Sequence, residues 1–373
     1  MTQNSISPGI SNRYLALDVL RGLTVAFMVV VNTAGDWSNL FAPLAHAKWH
    51  GFTPTDLVFP TFLFVVGNAM SFSMKKLQQM NAGEFFKKVG KRTVLIFLIG
   101  WLLSAFPFYD VASITEVRLF GVLQRIALCY FFASIVLYYG GIKLGWIVSA
   151  LLLLGYWAIM YFFGDAGDPY GLTGNAAIKL DLALIGPERM YGGEGIPFDP
   201  EGILSTLPAI VNVIAGYLAG KMIQKVGNNM SAVKKLVAVG LVLIIVSYAW
   251  DTLFPINKKI WTSSYVLLTT GIDLLLLALL VGVIEIKNWK GWTYFFEVFG
   301  RNPLILYVLA GLLVTVLSLI PVGETTLKGF IYTNFFTSWL APKTASFLFA
   351  FSYMLVIWLI GLWMDKRKIY IKV

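Results

Sequence analysis

An all-α membrane protein of about ten spans, with both termini on the cytoplasmic side, is the architecture that this 373-residue sequence predicts. Three observations predict it. Apolar residues make up 58% of the chain against 13% charged, and the mean hydropathy is +0.75, beyond the range of soluble globular domains. Apolar runs of helix-spanning length recur from end to end. The basic residues gather between alternate runs, so the net charge of +10 reads as topology signal and lipid-surface contact, not as a nucleic-acid footprint.

In order, the expected spans are about 15–34, 57–74, 93–106, 119–139, 143–163, 203–220, 236–254, 264–284, 299–320 and 343–364. Lys75, Lys76, Lys87, Lys88, Lys91 and Arg92 follow the second span. Lys221, Lys225, Lys234 and Lys235 follow the sixth, Lys287 and Lys290 the eighth, and Lys366, Arg367, Lys368 and Lys372 form the tail. With ten spans all of these share one side, which the positive-inside rule makes cytoplasmic. Lys258 and Lys259 break the rule between spans seven and eight. Segments of about 35–56, 164–202 and 321–342 then face outward. The second reads as an irregular cap without a core of its own, with Asp199 and Pro200 placed as N-cap and first residue of span six. The third carries Tyr332, Phe335, Phe336 and Trp339, suited to an interfacial helix. Residues 1–12 are polar and show no cleavable signal. No soluble domain or fixed-period repeat interrupts the chain, so residues 1–373 read as one transmembrane domain.

The first span carries the polar residues around which the rest is arranged. Arg21 and Asn32 lie eleven residues apart, about three turns and 20° of helix, hence on one face and about 16 Å apart along the axis. Asp18 precedes Arg21 by three and shares that face. Such a stripe is costly in lipid and points to a protein interior or a wet cavity. His46 and His50, the two histidines of the chain, follow at once. Their spacing of four suits a metal, but Lys48 between them and the lack of a nearby Cys argue against one, and no metal is expected. His46 is instead a candidate base in a chain with few groups able to act as one near neutral pH.

Other polar residues have a plain reading beside a functional one. Asp56 caps the second span or serves the site. Arg118 and Arg125, with Gln124, sit near the outer end of span four, where they snorkel or grip a phosphate or carboxylate. Asn212 and Asp273 lie within spans, where an acid serves function or neutralises an internal arginine. Asn302 before Pro303 caps span nine. Cys129, the single cysteine, is a small packed hydrophobe.

Taken together, Leu17-Asp18-Val19-Leu20-Arg21-Gly22, Asn32, His46-Ala47-Lys48-Trp49-His50-Gly51 and Asp56-Leu57-Val58-Phe59-Pro60 resemble the heparan-alpha-glucosaminide N-acetyltransferase family. Gly121-Val122-Leu123-Gln124-Arg125, Asp199-Pro200-Glu201-Gly202 and the basic tail extend the likeness over nearly the whole chain. The resemblance implies a polytopic enzyme that takes acetyl-CoA from the cytosolic side and acetylates a glucosamine-type amine on the far side. It implies His46 as the active-site residue, with Asn32 in the same site. The Asp-Val-Leu-Arg-Gly opening is also similar to membrane acyltransferases that O-acylate surface polysaccharides. Those have a histidine where this chain has Asn32, as if the imidazole had moved to the following loop.

The expected function is therefore acetyl transfer from acetyl-CoA to an amino sugar or glycan outside the cell or inner membrane. His46 would deprotonate the acceptor or carry the acetyl group, and Asn32 would donate to the thioester oxygen. Arg21, Arg125, Gln124 and Asn302 are assigned to the cofactor. Asp18, Asp56, Arg118, Asp199 and Glu201 are assigned to the acceptor. The expected partners are the lipid bilayer, acetyl-CoA and the acceptor, with a homodimer left open and no nucleic acid. The rival reading is a secondary transporter, which intramembrane Asp18, Arg21 and Asp273 would also suit. A third is a non-catalytic assembly or flippase-like partner.

Overall fold

The computed structural model describes residues 14–107 and 116–371; the polar segment 1–12 and Lys372 of the tail lie outside them. Twelve α-helices are described: α1 (Leu15–Asn32), α2 (Val58–Leu77), α3 (Ala82–Ala105), α4 (Val122–Phe163), α5 (Ala176–Leu184) and α6 (Ile203–Val226). They continue with α7 (Met230–Asp251), α8 (Ser263–Leu280), α9 (Thr293–Arg301), α10 (Pro303–Leu319), α11 (Leu327–Tyr332) and α12 (Pro342–Lys366). The described β structure is a two-residue ladder, Pro321–Val322 against Thr325–Thr326. The protein is an all-α polytopic membrane protein.

Seven described helices are long and apolar enough to cross a membrane, or eight if the α9–α10 pair is one span. Ten were expected. Part of the difference lies in α4, whose 42 residues hold both expected spans 119–139 and 143–163. They part at Gly141, whose φ of 53° and ψ of −141° are open to glycine and strained for other residues. The rest lies in α3, whose first turns carry Lys87, Lys88, Lys91 and Arg92 and leave 93–105 as a short apolar half. Between α9 and α10 the chain turns by 83° at Asn302. Pro303 disfavours helical geometry in the residue before it, and Asn302 accordingly sits at φ −130°, ψ 50°.

Helices α1, α2 and α6 run through the middle, while α7 and the later part of α4 turn most of their side chains outward. Without a hydrophobic force between helices in lipid, close backbone approach must hold the centre together. Gly216 and Gly220 of α6 face Gly67 and Ser71 of α2. A Cβ on Gly67 would lie 1.7 Å from the Val213 carbonyl oxygen, and one on Gly216 1.8 Å from that of Phe64. Gly22 of α1 and Gly300 of α9 meet in the same way. Any side chain larger than hydrogen there would push the helices apart.

The segment between α4 and α6 does not stand free of the helices. Its Ala176, Ile178, Met190 and Phe198 bury against Tyr156 and Met160 of α4 and Phe254 and Ile260 of the α7–α8 loop in one shared apolar cluster. Nor do Asp199 and Pro200 open α6. Gly202 is the N-cap and Ile203 the first helical residue, and the Ile203 amide donates to Asp181 at 3.0 Å. Asp199 is drawn away by Arg118. Beyond α10, the ladder leads into α11 and a wide turn ending at Thr337, with Phe335 and Trp339 exposed.

Candidate active site

Asn32, the last residue of α1, enters a cavity of about 260 Å³ that His46, Asp56, Arg118, Glu201 and Lys258 also line. Five of the residues singled out in the sequence thus meet in one place. The loop 33–57 folds back over the end of α1 because Thr53 and Asp56 close a capping box at a short 3₁₀ turn, Pro54–Leu57. The Asp56 carboxylate then has two tasks. Its Oδ2 accepts from the Thr53 amide at 3.0 Å, the Thr53 hydroxyl at 3.0 Å and the Ala47 amide at 3.1 Å. Its Oδ1 lies 2.6 Å from Nδ1 of His46. Asp56 is 1% exposed against 41% for the His46 side chain. A buried carboxylate that holds Nδ1 leaves Nε2 as the ring nitrogen without an acid partner, with Lys258 Nζ 3.3 Å from it. One side chain thus both closes the cap of the second span and holds the His46 ring.

His46 and His50 do not share a face, since the loop between them is not helical. His50 turns to the Asn257 amide at 3.3 Å. Asn32 makes no side-chain hydrogen bond among the described residues, and its amide faces the cavity. Arg118 precedes α4 and does not lie on its face beside Arg125. It binds the protein's own acids, Asp199 at 2.7 and 3.0 Å and Glu201 at 2.5 Å, so its carboxylate partners are internal. Burial pushes Asp199 upward. Against the same push, Arg118 holds Glu201 below the usual carboxylate range.

Arg125 is fully buried. Its guanidinium lies over the Trp261 ring, 4.8 Å from the centroid, and donates to the Gly202 carbonyl at 3.2 Å and to the Ser205 hydroxyl. Its Nε and Nη1, like Nε2 of neighbouring Gln124, have no hydrogen-bond partner among the described residues. Neither residue lines the His46 cavity. Asn212 accepts from the Trp261 indole at 3.1 Å, which accounts for an amide in mid-span. Asp273 pairs with no arginine among the described residues. Its Oδ1 lies 2.5 Å from the Thr61 hydroxyl.

At the other end of α1 a second cavity, of about 570 Å³, is lined by Arg21, Arg92 and Arg301, with Phe62, Leu123 and Ile126. Asp18 lies here beside Arg21 at 2.8 Å, away from His46. Arg92 and Tyr130 also line an adjoining hollow with Lys76, Lys88 and Lys91. Asn302 is near this end, yet its amide holds the tail: it donates to the Ile369 carbonyl at 2.8 Å and accepts from the Ile371 amide at 3.0 Å. It makes no side-chain cap on α10. The two linings draw on the same stretches of α2 and α4: Phe59 and Val122 line the first cavity, and Phe62 and Leu123 the second.

Sequence reasoning missed Lys258, Arg92 and Arg301 as site residues. Lys258 did leave a signal. It and Lys259 break the charge rule between spans seven and eight, and both line the His46 cavity.

Residues 13–249 match the family model described as heparan-alpha-glucosaminide N-acetyltransferase, catalytic. Heparan-alpha-glucosaminide N-acetyltransferase of Mus musculus is 28% identical over 355 residues, covering 80% of this chain and 53% of its own. The Homo sapiens protein of that name is 28% identical over 352 residues, covering 79% and 52%. The chain spans about half the length of the curated relatives it matches.

Proposed function

Because the chain belongs to the heparan-alpha-glucosaminide N-acetyltransferase family, we propose that it carries an acetyl group from acetyl-CoA on the cytoplasmic side to the amine of an amino sugar or glycan on the other. The observation that carries this reading is the pair of cavities, one lined by Asn32 at the end of α1 and the other by Arg21 near its start. One holds an imidazole with a buried acid behind it and an uncommitted amide. The other holds three arginines and opens beside a lysine-lined hollow. Arg92, which pairs with no acid among the described residues, suits the phosphates of CoA together with the lysines of the hollow, while Arg21 is held by Asp18 and Arg301 by Glu297 and Asp365. Phe59, Phe62, Val122 and Leu123, which the two linings divide between them, suit the pantetheine arm, which would bring the thioester to Asn32 and His46.

In this reading Asp56 fixes the His46 ring and stabilises it when it gains a proton, and Nε2 takes that proton from the acceptor nitrogen. Asn32 donates to the carbonyl oxygen as it becomes anionic. Arg118, held by Asp199 and Glu201, forms a rigid wall for the acceptor. The protein acts in the cell membrane of its host, with His46 facing outward.

The test is purified protein in detergent, given acetyl-CoA and glucosamine, with free thiol and N-acetylglucosamine both measured. Release of the two in equal amounts is expected. No thiol, together with sugar flux in proteoliposomes, would overturn the enzyme reading in favour of a transporter.

A further inference from the structure

The loop between α7 and α8 brings two adjacent lysines to the His46 cavity, and their surroundings differ. Two of the three donors of Lys259 are taken: its Nζ binds Glu194 at 2.5 Å and the Lys48 carbonyl at 2.7 Å. Among the described residues Lys258 has no such hydrogen-bonded acid or carbonyl. Its ion pair with Asp56 Oδ1 is 3.6 Å long, beyond hydrogen-bonding distance. Its Nζ lies 3.0 Å from His46 Nδ1 and 3.3 Å from Nε2. Within the ring plane, an atom that near both nitrogens would overlap the ring carbons, so the ammonium stands over the face of the imidazole. The in-plane position at Nδ1 belongs to Asp56. The Lys258 side chain is only 18% exposed, and burial pushes its ammonium below the usual lysine range while Asp56 and Glu201 draw it back. A desolvated cation without a hydrogen-bonded carboxylate is costly and does little for the fold.

We propose that Lys258 is a catalytic residue of this site, its ammonium facing the negative charge that develops on the acetyl carbonyl oxygen. The inference rests on the acetyl-transfer reading above. The lone pair of the neutral acceptor amine attacks the thioester carbon, and the carbonyl π pair moves onto oxygen. When the carbonyl re-forms, the carbon–sulfur bond breaks and its pair leaves on sulfur. The proton lost by nitrogen passes to His46 Nε2 and from there to sulfur. Amine and acetyl-CoA thus become amide and CoA thiol, with nothing else consumed. A carbonyl carbon within reach of an amine at Nε2 puts its oxygen beside Lys258, and the Asn32 amide is a second donor in the same cavity.

Lys258→Met, Lys258→Gln and Lys258→Arg are compared with wild type in acetyl-CoA turnover with glucosamine, each with a thermal melt in detergent. The expected result is a kcat about 10²–10³-fold lower in Lys258→Met, with KM for acetyl-CoA within about threefold of wild type. Lys258→Arg should recover at least about a tenth of the lost rate, because it keeps the charge. If Lys258→Met does not fold, Lys258→Gln is read in its place. A kcat within about threefold of wild type in either folded neutral variant overturns the proposal. So does an equal loss in Lys258→Arg and Lys258→Met, which would mark a role in shape alone. Absence of thiol release by wild type is a separate result, and it overturns the acetyl-transfer reading and this inference with it.

Discussion

His46 and Asp56 act as one unit because the same carboxylate that caps the second span also holds the imidazole. Asp56→Asn keeps the shape but turns the acceptor at Nδ1 into a potential donor, so Nε2 loses its lone pair to the wrong tautomer. The rate of acetyl transfer should fall about 10²–10⁴-fold, with the melt little changed. His46→Ala should abolish transfer, whereas His50→Ala, directed at Asn257, should be mild; near wild-type transfer by His46→Ala would end the assignment. Asp181 offers a test of stability. Burial raises its pKa from 3.8 to about 7 despite the Ile203 amide. The native state therefore holds a proton that the unfolded state has lost between these values, and stability falls as pH rises through that window. Asp181→Asn keeps the acceptor for Ile203 and removes the charge. It should melt like wild type near pH 4 and higher than wild type at pH 8, by at most about 4 kcal/mol in stability. Equal melting at pH 8 would show that the carboxylate is solvated.

Among the elements, the α2–α6 contact sets the spacing of everything around it. Gly216→Val would drive a branched side chain into the Phe64 carbonyl. It should cost about 1–3 kcal/mol or more, read as a lowered melt in detergent. Gly155, on the outward face of α4 with nothing near its Cβ direction, is the contrasting position. Gly155→Ala should be neutral or slightly stabilising. Similar melts for the two variants would mean that the helices do not meet as closely as described. The α9–α10 turn depends on Pro303 for its angle and on Asn302 for what it holds, since the amide of Asn302 pins the tail beside the arginine-lined cavity.

Over the whole molecule the proposed direction of transfer depends on sidedness. Ala166→Cys and Asn228→Cys are both exposed, at opposite ends of the chain's path through α6. Cys129 is buried and should stay silent. In intact cells an impermeant thiol reagent should label position 166 and not position 228. The reverse pattern would put His46 on the cytoplasmic face and the arginines outside, where no cytosolic CoA could reach them.

The sequence by itself determined the class, most of the spans, and the residues Asn32, His46, Asp56, Arg118 and Glu201 that share a cavity. Those follow from quantities that are local along the chain: apolar length, helical spacing, charge between spans, and short motifs. Tertiary structure alone decided what each polar group meets. Arg118 looked like a ligand-binding arginine until Asp199 and Glu201, over 80 residues away, were found holding it. Lys258 stands over His46 across 212 positions, and its only mark in the sequence was a charge on the unexpected side. Asn302 looked like a cap, yet its partners are in the tail, 67 and 69 residues on. A buried charge or amide takes whichever partner the packing brings within about 3 Å, and packing in lipid is set by where glycines let backbones touch, as at Gly67 and Gly216.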